Sequence, residues 1–216
     1  MPTDYDDVIE KFGRPKGGYV LKETDVSRLH GALPDPYLVF LTEIGIGVWM
    51  DGFFQLVEPE KYQPIVEMIF EGDREFKPSD IRIVGFSAFG SILAWSPRLW
   101  RIDINVLFHS VGCLYLFKER PNIDAGNAFG NALYGVDAGA NDTPDDDGKP
   151  LFRRALKAYG ALPFGQIYAP KLHPALGGPA TVDNFRPASA LEALALAVQA
   201  APFMLVDTPR IVRQIG

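Results

Sequence analysis

The sequence predicts an α+β protein: an antiparallel β-meander packed with helices, followed by a small α/β C-terminal lobe. Three observations predict it. From residue 81 the hydrophobic pattern leaves helical spacing for short β-branched and aromatic runs, separated by Gly, Ser-Pro and Ser-Val-Gly. Within RIDINVLF, the polar Arg101, Asp103 and Asn105 alternate with Ile102, Ile104 and Val106, the mark of a half-buried antiparallel strand. A polar, acidic stretch, VDAGANDTPDDDG (136–148), then reads as a linker before a last helix, strand and helix. The expected organisation is a first domain over 1–135, an acidic linker over 136–148 and a C-terminal domain over 149–216.

Taken in order, YDDVIEKFG (5–13) has helical spacing and ends at a glycine, and GRPKGG (13–18) is a basic turn. DPYLVFLTEIG (35–45) is a helix that Asp35 can cap, with Pro36 in its first turn and Gly45 at its end. GFFQLV (52–57) has strand composition. EPEKYQPIVEMIFEG (58–72) is a second helix, strained by Pro64. IRIVGFSAFG, SILAWS, WRIDINVLF and CLYLFK are the strands of the meander. IDAGNAFGNALYG (123–135) is a weaker helix. LFRRALKAYG (151–160) is a strong one, with Leu151, Phe152, Ala155, Leu156 and Tyr159 on one stripe. QIYAPKL is a strand.

ASALEALALAVQAAPFMLV (188–206) approaches the length of a membrane span. Its polar Ser189, Glu192 and Gln199 share one helical face, Ser189-x-x-Glu192 is a capping box, and Pro202 stops the helix before a strand, FMLVD. A buried helix is therefore expected, with no membrane contact.

The chain is 47% hydrophobic and 22% charged, enough to bury a core without staples. The single Cys113 excludes an internal disulfide and fits a reducing compartment. The acidic start, MPTDYDDVIE, has no apolar run of the kind a secretory signal needs, so a cytoplasmic location is expected. Net charge is −6, and residues 1–75 hold 15 Asp/Glu against 7 Lys/Arg, so the acidic excess lies in the first third. Such a surface repels nucleic acid and attracts basic proteins, although it also serves solubility.

The candidate chemical motifs resolve into structure. Gly177-Gly178 lacks a following GK[ST] or a GxGxxG frame and reads as a turn. Ser87 sits in GFSAFG, one residue too long for a nucleophile elbow. Cys113 reads as a packed core thiol. His30, His109 and His173 are far apart and lack metal-ligand spacing, and Asp145-Asp146-Asp147-Gly148 lacks the ligand alternation of a calcium loop. Glu58 and Glu60 suit the first turn of a helix. The sequence thus shows no catalytic constellation, no metal site and no cofactor motif, a profile that suits a protein acting by binding.

Two segments carry a resemblance. LPDPYLVFLTEIGIGVWMDGFFQLVEPEKYQPIVEMIF (33–70), followed by Phe86-Ser-Ala-Phe-Gly90 and Leu93-Ala-Trp95, resembles the GAD-like domain. LFRRALKAYGALPFGQIYAPKLHPALGG, with SALEALALAVQAAP after it, resembles the small domain that commonly follows it in immunity proteins against type VI secretion DNase toxins. The resemblance covers most of residues 30–207 and implies a cognate toxin partner, a basic nuclease whose cleft is covered.

On that reading Trp49, Asp51 and Phe53 are candidate partner-binding residues, because acid and aromatics alternate there; core packing is the alternative for both rings. Asp145, Asp146 and Asp147 are candidates as a flexible acidic loop, with a solvated linker as the alternative. Two competing readings stay open: a small hydrolase or ligand-binding enzyme using a cleft with Trp49, Glu58 or His109, and a scaffold of the same fold with a different partner.

Overall fold

The computed structural model describes residues 5–206. The chain runs α1 (Asp6–Phe12), α2 (Glu23–Val26), α3 (Asp35–Glu43), β1 (Gly47–Trp49), β2 (Phe54–Leu56) and α4 (Gln63–Phe70). The meander follows as β3 (Arg82–Ser87), β4 (Ser91–Ser96), β5 (Trp100–Asn105) and β6 (Ser110–Gly112). Then come α5 (Ala125–Tyr134), α6 (Ala138–Asn141), α7 (Phe152–Tyr159), β7 (Gln166–Pro170), β8 (Phe185–Ser189), α8 (Ala190–Ala197) and β9 (Met204–Val206). Strands β1 to β6 form a continuous antiparallel sheet in sequence order, and β9 joins its far edge parallel to β6. β7 and β8 form a separate antiparallel pair.

Local chemistry explains most boundaries. Gly13 follows α1 with φ 72°, and its N–H closes the helix on the Ile9 carbonyl. Pro64 does not kink a helix. The chain takes one 3₁₀ turn over Pro59–Tyr62 and restarts at Gln63, so Pro64 falls in the first turn, where its missing N–H goes unneeded. Asp124 caps α5 by accepting the N–H groups of Gly126 and Asn127. Gly177 ends a 3₁₀ turn with φ 89°, and a Cβ on Gly178 would overlap the Leu172 carbonyl, so the glycine pair is a turn.

Three expectations are corrected. CLYLFK is not a strand: the pairing partner of β5 is Ser110–Gly112, and Leu114–Leu116 is a 3₁₀ turn that swings Tyr115 edge-on against Trp100 at 5.2 Å. Asp35 does not cap α3; Pro34 holds the N-cap position and the Asp35 carboxylate faces His30 Nδ1 at 3.3 Å. Ser189 occupies the N-cap position of α8 without a side-chain cap, because it is still paired with Gln166 across β7–β8 and the Ala190 N–H goes to the Gly165 carbonyl. Among the described residues no helix is long and apolar enough to cross a membrane.

Two hydrophobic clusters lie on opposite faces of the sheet, and each draws on both halves of the chain. One joins α1, α3, β1, β2 and α5 to Leu151, Phe152, Tyr168 and Phe185. The other joins α4 and the buried side of β3–β6 to Ile167, Ala190 and Leu194. A buried polar stitch adds specificity to the junction. Gln55 is wholly buried, donates from Nε2 to the Gln166 carbonyl at 2.6 Å, and accepts the Gly165 N–H at 2.7 Å. The stretch 136–148 is folded onto the body: Val136 and Thr143 are buried, and Pro144 and Pro150 bridge across its loop.

Candidate functional site

The alternation in β5 fixes the site. Ile102 and Ile104 point into the second core and are fully buried. Their neighbours point the other way, onto a sheet face that α5 and α6 cover only in part. The pairing register sets polar residues side by side there: Ser91 opposite Asn105 opposite Ser110, and Leu93 opposite Asp103 opposite Gly112. This face floors an open recess of 370 Å³, walled by Phe54, Asn141 and Asp142. Through Arg101, Asp103 and Gly112 it continues into a second depression of 290 Å³ lined by Leu114, Tyr115 and Ile123. Through Trp95, Trp100 and Ile123 it reaches a third, of 610 Å³, beside Pro34 and Arg120. The result is one open trough along β5, polar at the Ser91–Asn105–Ser110 end and more apolar at its middle, beside Leu114 and Ile123.

Its charges are arranged unevenly. Arg101 chelates Asp103 through two contacts of 2.9 Å from Nε and one of 2.8 Å from Nη2. Asp142 is half-buried; its carboxylate accepts the Phe152 N–H, and among the described residues no cation lies within ion-pair distance of it. Burial pushes its carboxyl pKa up, and backbone N–H donors from Phe152, Thr143 and Leu151 only partly offset this. Trp100 holds φ 58° at the ridge between two depressions, a left-handed backbone that disfavours a bulky residue by about 1–3 kcal/mol. Its ring stacks on Trp95 at 5.9 Å, and the Arg120 guanidinium sits 5.3 Å from its centroid.

The sequence-predicted residues divide. Trp49 and Phe53 are each 1% exposed. The Trp49 indole N–H donates to the Gly13 carbonyl and its ring stacks on Phe12 at 5.2 Å; Phe53 meets Phe152 edge-on at 5.1 Å. Both rings are core, which is the alternative the sequence left open. Asp51 is exposed at the tip of the β1–β2 turn, where Met50, Asp51 and Gly52 all have positive φ. The aspartate run is an ordered loop. Asp145 turns inward: the Lys149 N–H first, then Arg154 at 2.7 Å and the Asp147 N–H, hold its carboxyl below the usual range. Asp146 accepts the Ala180 N–H, and Asp147 is exposed beside Lys149. Neither Asp51 nor the loop acids Asp145, Asp146 and Asp147 are among the residues that line the recess.

The residues of the enzyme reading are structurally engaged. Glu58 accepts the Tyr19 hydroxyl at 2.8 Å; partial burial first and this carboxylate second push the Tyr19 pKa up to about 12. Glu60 faces Arg82 at 3.3 Å. The Ser87 Oγ accepts the N–H groups of Phe89 and Ser91 inside the β3–β4 hairpin. Cys113 is buried and its thiol pKa is raised by that burial. His109 and His173 are buried together, rings 5.0 Å apart. Among the described residues no group of three or more His, Cys, Asp or Glu could hold a metal. Sequence reasoning missed Ser91, Ser110 and Asp142. The first two are the cross-strand neighbours of Asn105, whose alternation was visible; only the register connects them.

The described residues thus present an open trough with charged groups along a sheet face. Residues 3–108 match the GAD-like domain, and residues 138–200 match the C-terminal domain of the T6SS immunity protein Tdi1. The crystal structure of Atu4351 from Agrobacterium tumefaciens is similar at TM-score 0.91 and 45% identity, over 94% of this chain and 92% of that one. No curated protein matches. The chain belongs to the family of type VI secretion immunity proteins that join a GAD-like domain to a Tdi1-type C-terminal domain.

Proposed function

We propose that this protein protects its own cell by binding a cognate type VI toxin, a basic nuclease acting on DNA, in the cytoplasm and covering its substrate cleft. The observation that carries the reading is the shared architecture: both family segments in order, and 45% identity to Atu4351 across 94% of the chain. Charge supports it. A nuclease presents Lys and Arg to phosphates, and a partner of net charge −6, with its acidic excess in residues 1–75, is steered onto that surface. Asp51, Asp146 and Asp147 are the exposed acids that meet the toxin. Asp145 holds their loop in place, and Trp49 and Phe53 support the Asp51 turn from beneath.

The test is co-expression with the nuclease domain encoded beside this chain. Cells survive and a complex copurifies if the reading is right; continued killing with no complex refutes it. Because exposed charges drive the encounter, raising salt slows association, and a salt-independent on-rate argues against steering.

A further inference from the structure

We propose that the polar end of the trough is the seat for an extended basic segment of the toxin, running along β5, whose Lys or Arg enters between Asp103 and Asp142. This rests on the immunity reading and names the surface it uses.

Three features of the recess point to that occupant. The first is charge. Among the described residues Asp103 and Asp142 share the lining with one cation, Arg101, which Asp103 already holds; Arg154, bound to Asp145 outside the lining, adds a lesser favourable charge at Asp142, so the lining is net negative. Asp142 is half-buried at a cost to itself, and a cation arriving with the partner compensates that cost while expelling water. The second is the floor. Ser91, Asn105 and Ser110 form a cross-strand row of small polar groups, and Gly112 adds no side chain, so a chain can lie against the sheet. The Asn105 Oδ1 accepts the Leu107 and Phe108 N–H groups, which turns its amide NH₂ toward new acceptors. The third is continuity. One step along β5 the trough turns apolar at Leu114 and Ile123, both more than a third exposed. Alternate residues of a strand lie about 7 Å apart. A segment with a basic residue and an apolar residue about two to four positions away therefore satisfies both ends at once.

The trough's walls at residues 109–137 fall between the two family-matched segments, and its floor at Ser91, Asp103 and Asn105 falls within the first.

The experiment measures binding of the inactivated neighbouring nuclease domain to the wild-type chain and to three variants, by biolayer interferometry at two salt concentrations. Asp142→Asn keeps the acceptor for the Phe152 N–H and removes the charge. It is expected to weaken affinity about tenfold, to flatten the salt dependence and to leave Tm equal or higher. Ser110→Arg plugs the recess with a like-charged group and is expected to weaken affinity about a hundredfold or more. Asp183→Asn, in the exposed 3₁₀ turn before β8 and outside the trough, changes neither. Wild-type binding with Asp142→Asn and Ser110→Arg both within twofold of it overturns the seat and leaves the immunity reading standing. Absence of wild-type binding removes the immunity reading and the seat with it. Should Ser110→Arg fail to fold, Asp142→Asn decides alone.

Discussion

On one side of β5, Ile102 and Ile104 sit at no more than 1% exposure, packed with Ile92, Ala94 and Val111 beneath α4 and α8. On the other side, one residue along, Arg101, Asp103 and Asn105 keep contact with water along an open trough. The same strand thus carries stability on one face and recognition on the other. A pleated strand sends successive side chains to opposite faces, so substitutions one position apart separate the two properties. The comparison breaks if stability and partner binding respond together on either face.

The largest expected effect is on the sealed face. Ile104→Ala removes methylene groups where no neighbour can refill the space, and lowers the unfolding free energy by about 2–5 kcal/mol. Denaturant unfolding measures it, while affinity for the toxin, measured where the variant is still folded, stays unchanged. Gln55→Leu follows. Its loss leaves the buried Gly165 N–H and Gln166 carbonyl without their side-chain partner between the two halves. The expected loss is about 1–3 kcal/mol, with proteolysis between the halves rising in step. A Gln55→Leu protein as stable as wild type would show that packing alone, not this stitch, joins them.

A second seam responds to pH. His173 Nε2 donates to the Val106 carbonyl while its Nδ1 accepts the Ala175 N–H, so the neutral ring uses both nitrogens. Burial first, and the neighbouring His109 second, lower the His173 pKa. A lowered histidine pKa means the unfolded chain takes up the proton first. Stability is therefore full above the unfolded value of about 6.5 and declines as pH falls below it. His109 lies beside this seam, its Nε2 donating to the Ala197 carbonyl. Thermal melts from pH 7.5 to 5.5 should show Tm falling through this window, and His173→Gln should reduce the fall. An unchanged slope would place the acid sensitivity elsewhere.

The sequence carried the meander, the helices, the aromatic core and the alternation in β5, because each is a local pattern with a fixed period. It carried less of the site. Trp49 and Phe53 look like exposed anchors beside Asp51, yet they pack on Phe12 and Phe152, partners 37 and 99 residues away in the chain. Asp145 reads as part of a solvated run, but one inward turn toward Arg154 orders the loop. Ser91, Ser110 and Asp142 became a site only through strand register and the fold of residues 136–148 over the sheet. Partners distant in sequence leave no local trace.

The smallest effect on stability is expected at Asp103, and it tests the open face most sharply. Its ion pair with Arg101 is short and chelated, yet both side chains are partly solvated, at 54% and 32% exposure. Water and salt screen such a pair to about 0–1 kcal/mol, so Asp103→Asn should unfold within that margin of wild type. Its consequence for binding is of a different kind. Releasing Arg101 converts the recess from net negative to balanced, so a basic partner loses attraction and meets an unpaired guanidinium. Affinity should fall and the salt dependence of association should weaken, with no change in m-value. Compared with Ile104→Ala one position along, the ranking of the two variants should invert between the unfolding assay and the binding assay. If Asp103→Asn instead ranks below Ile104→Ala in stability, the polar face is structural and the division between the two sides of β5 is wrong.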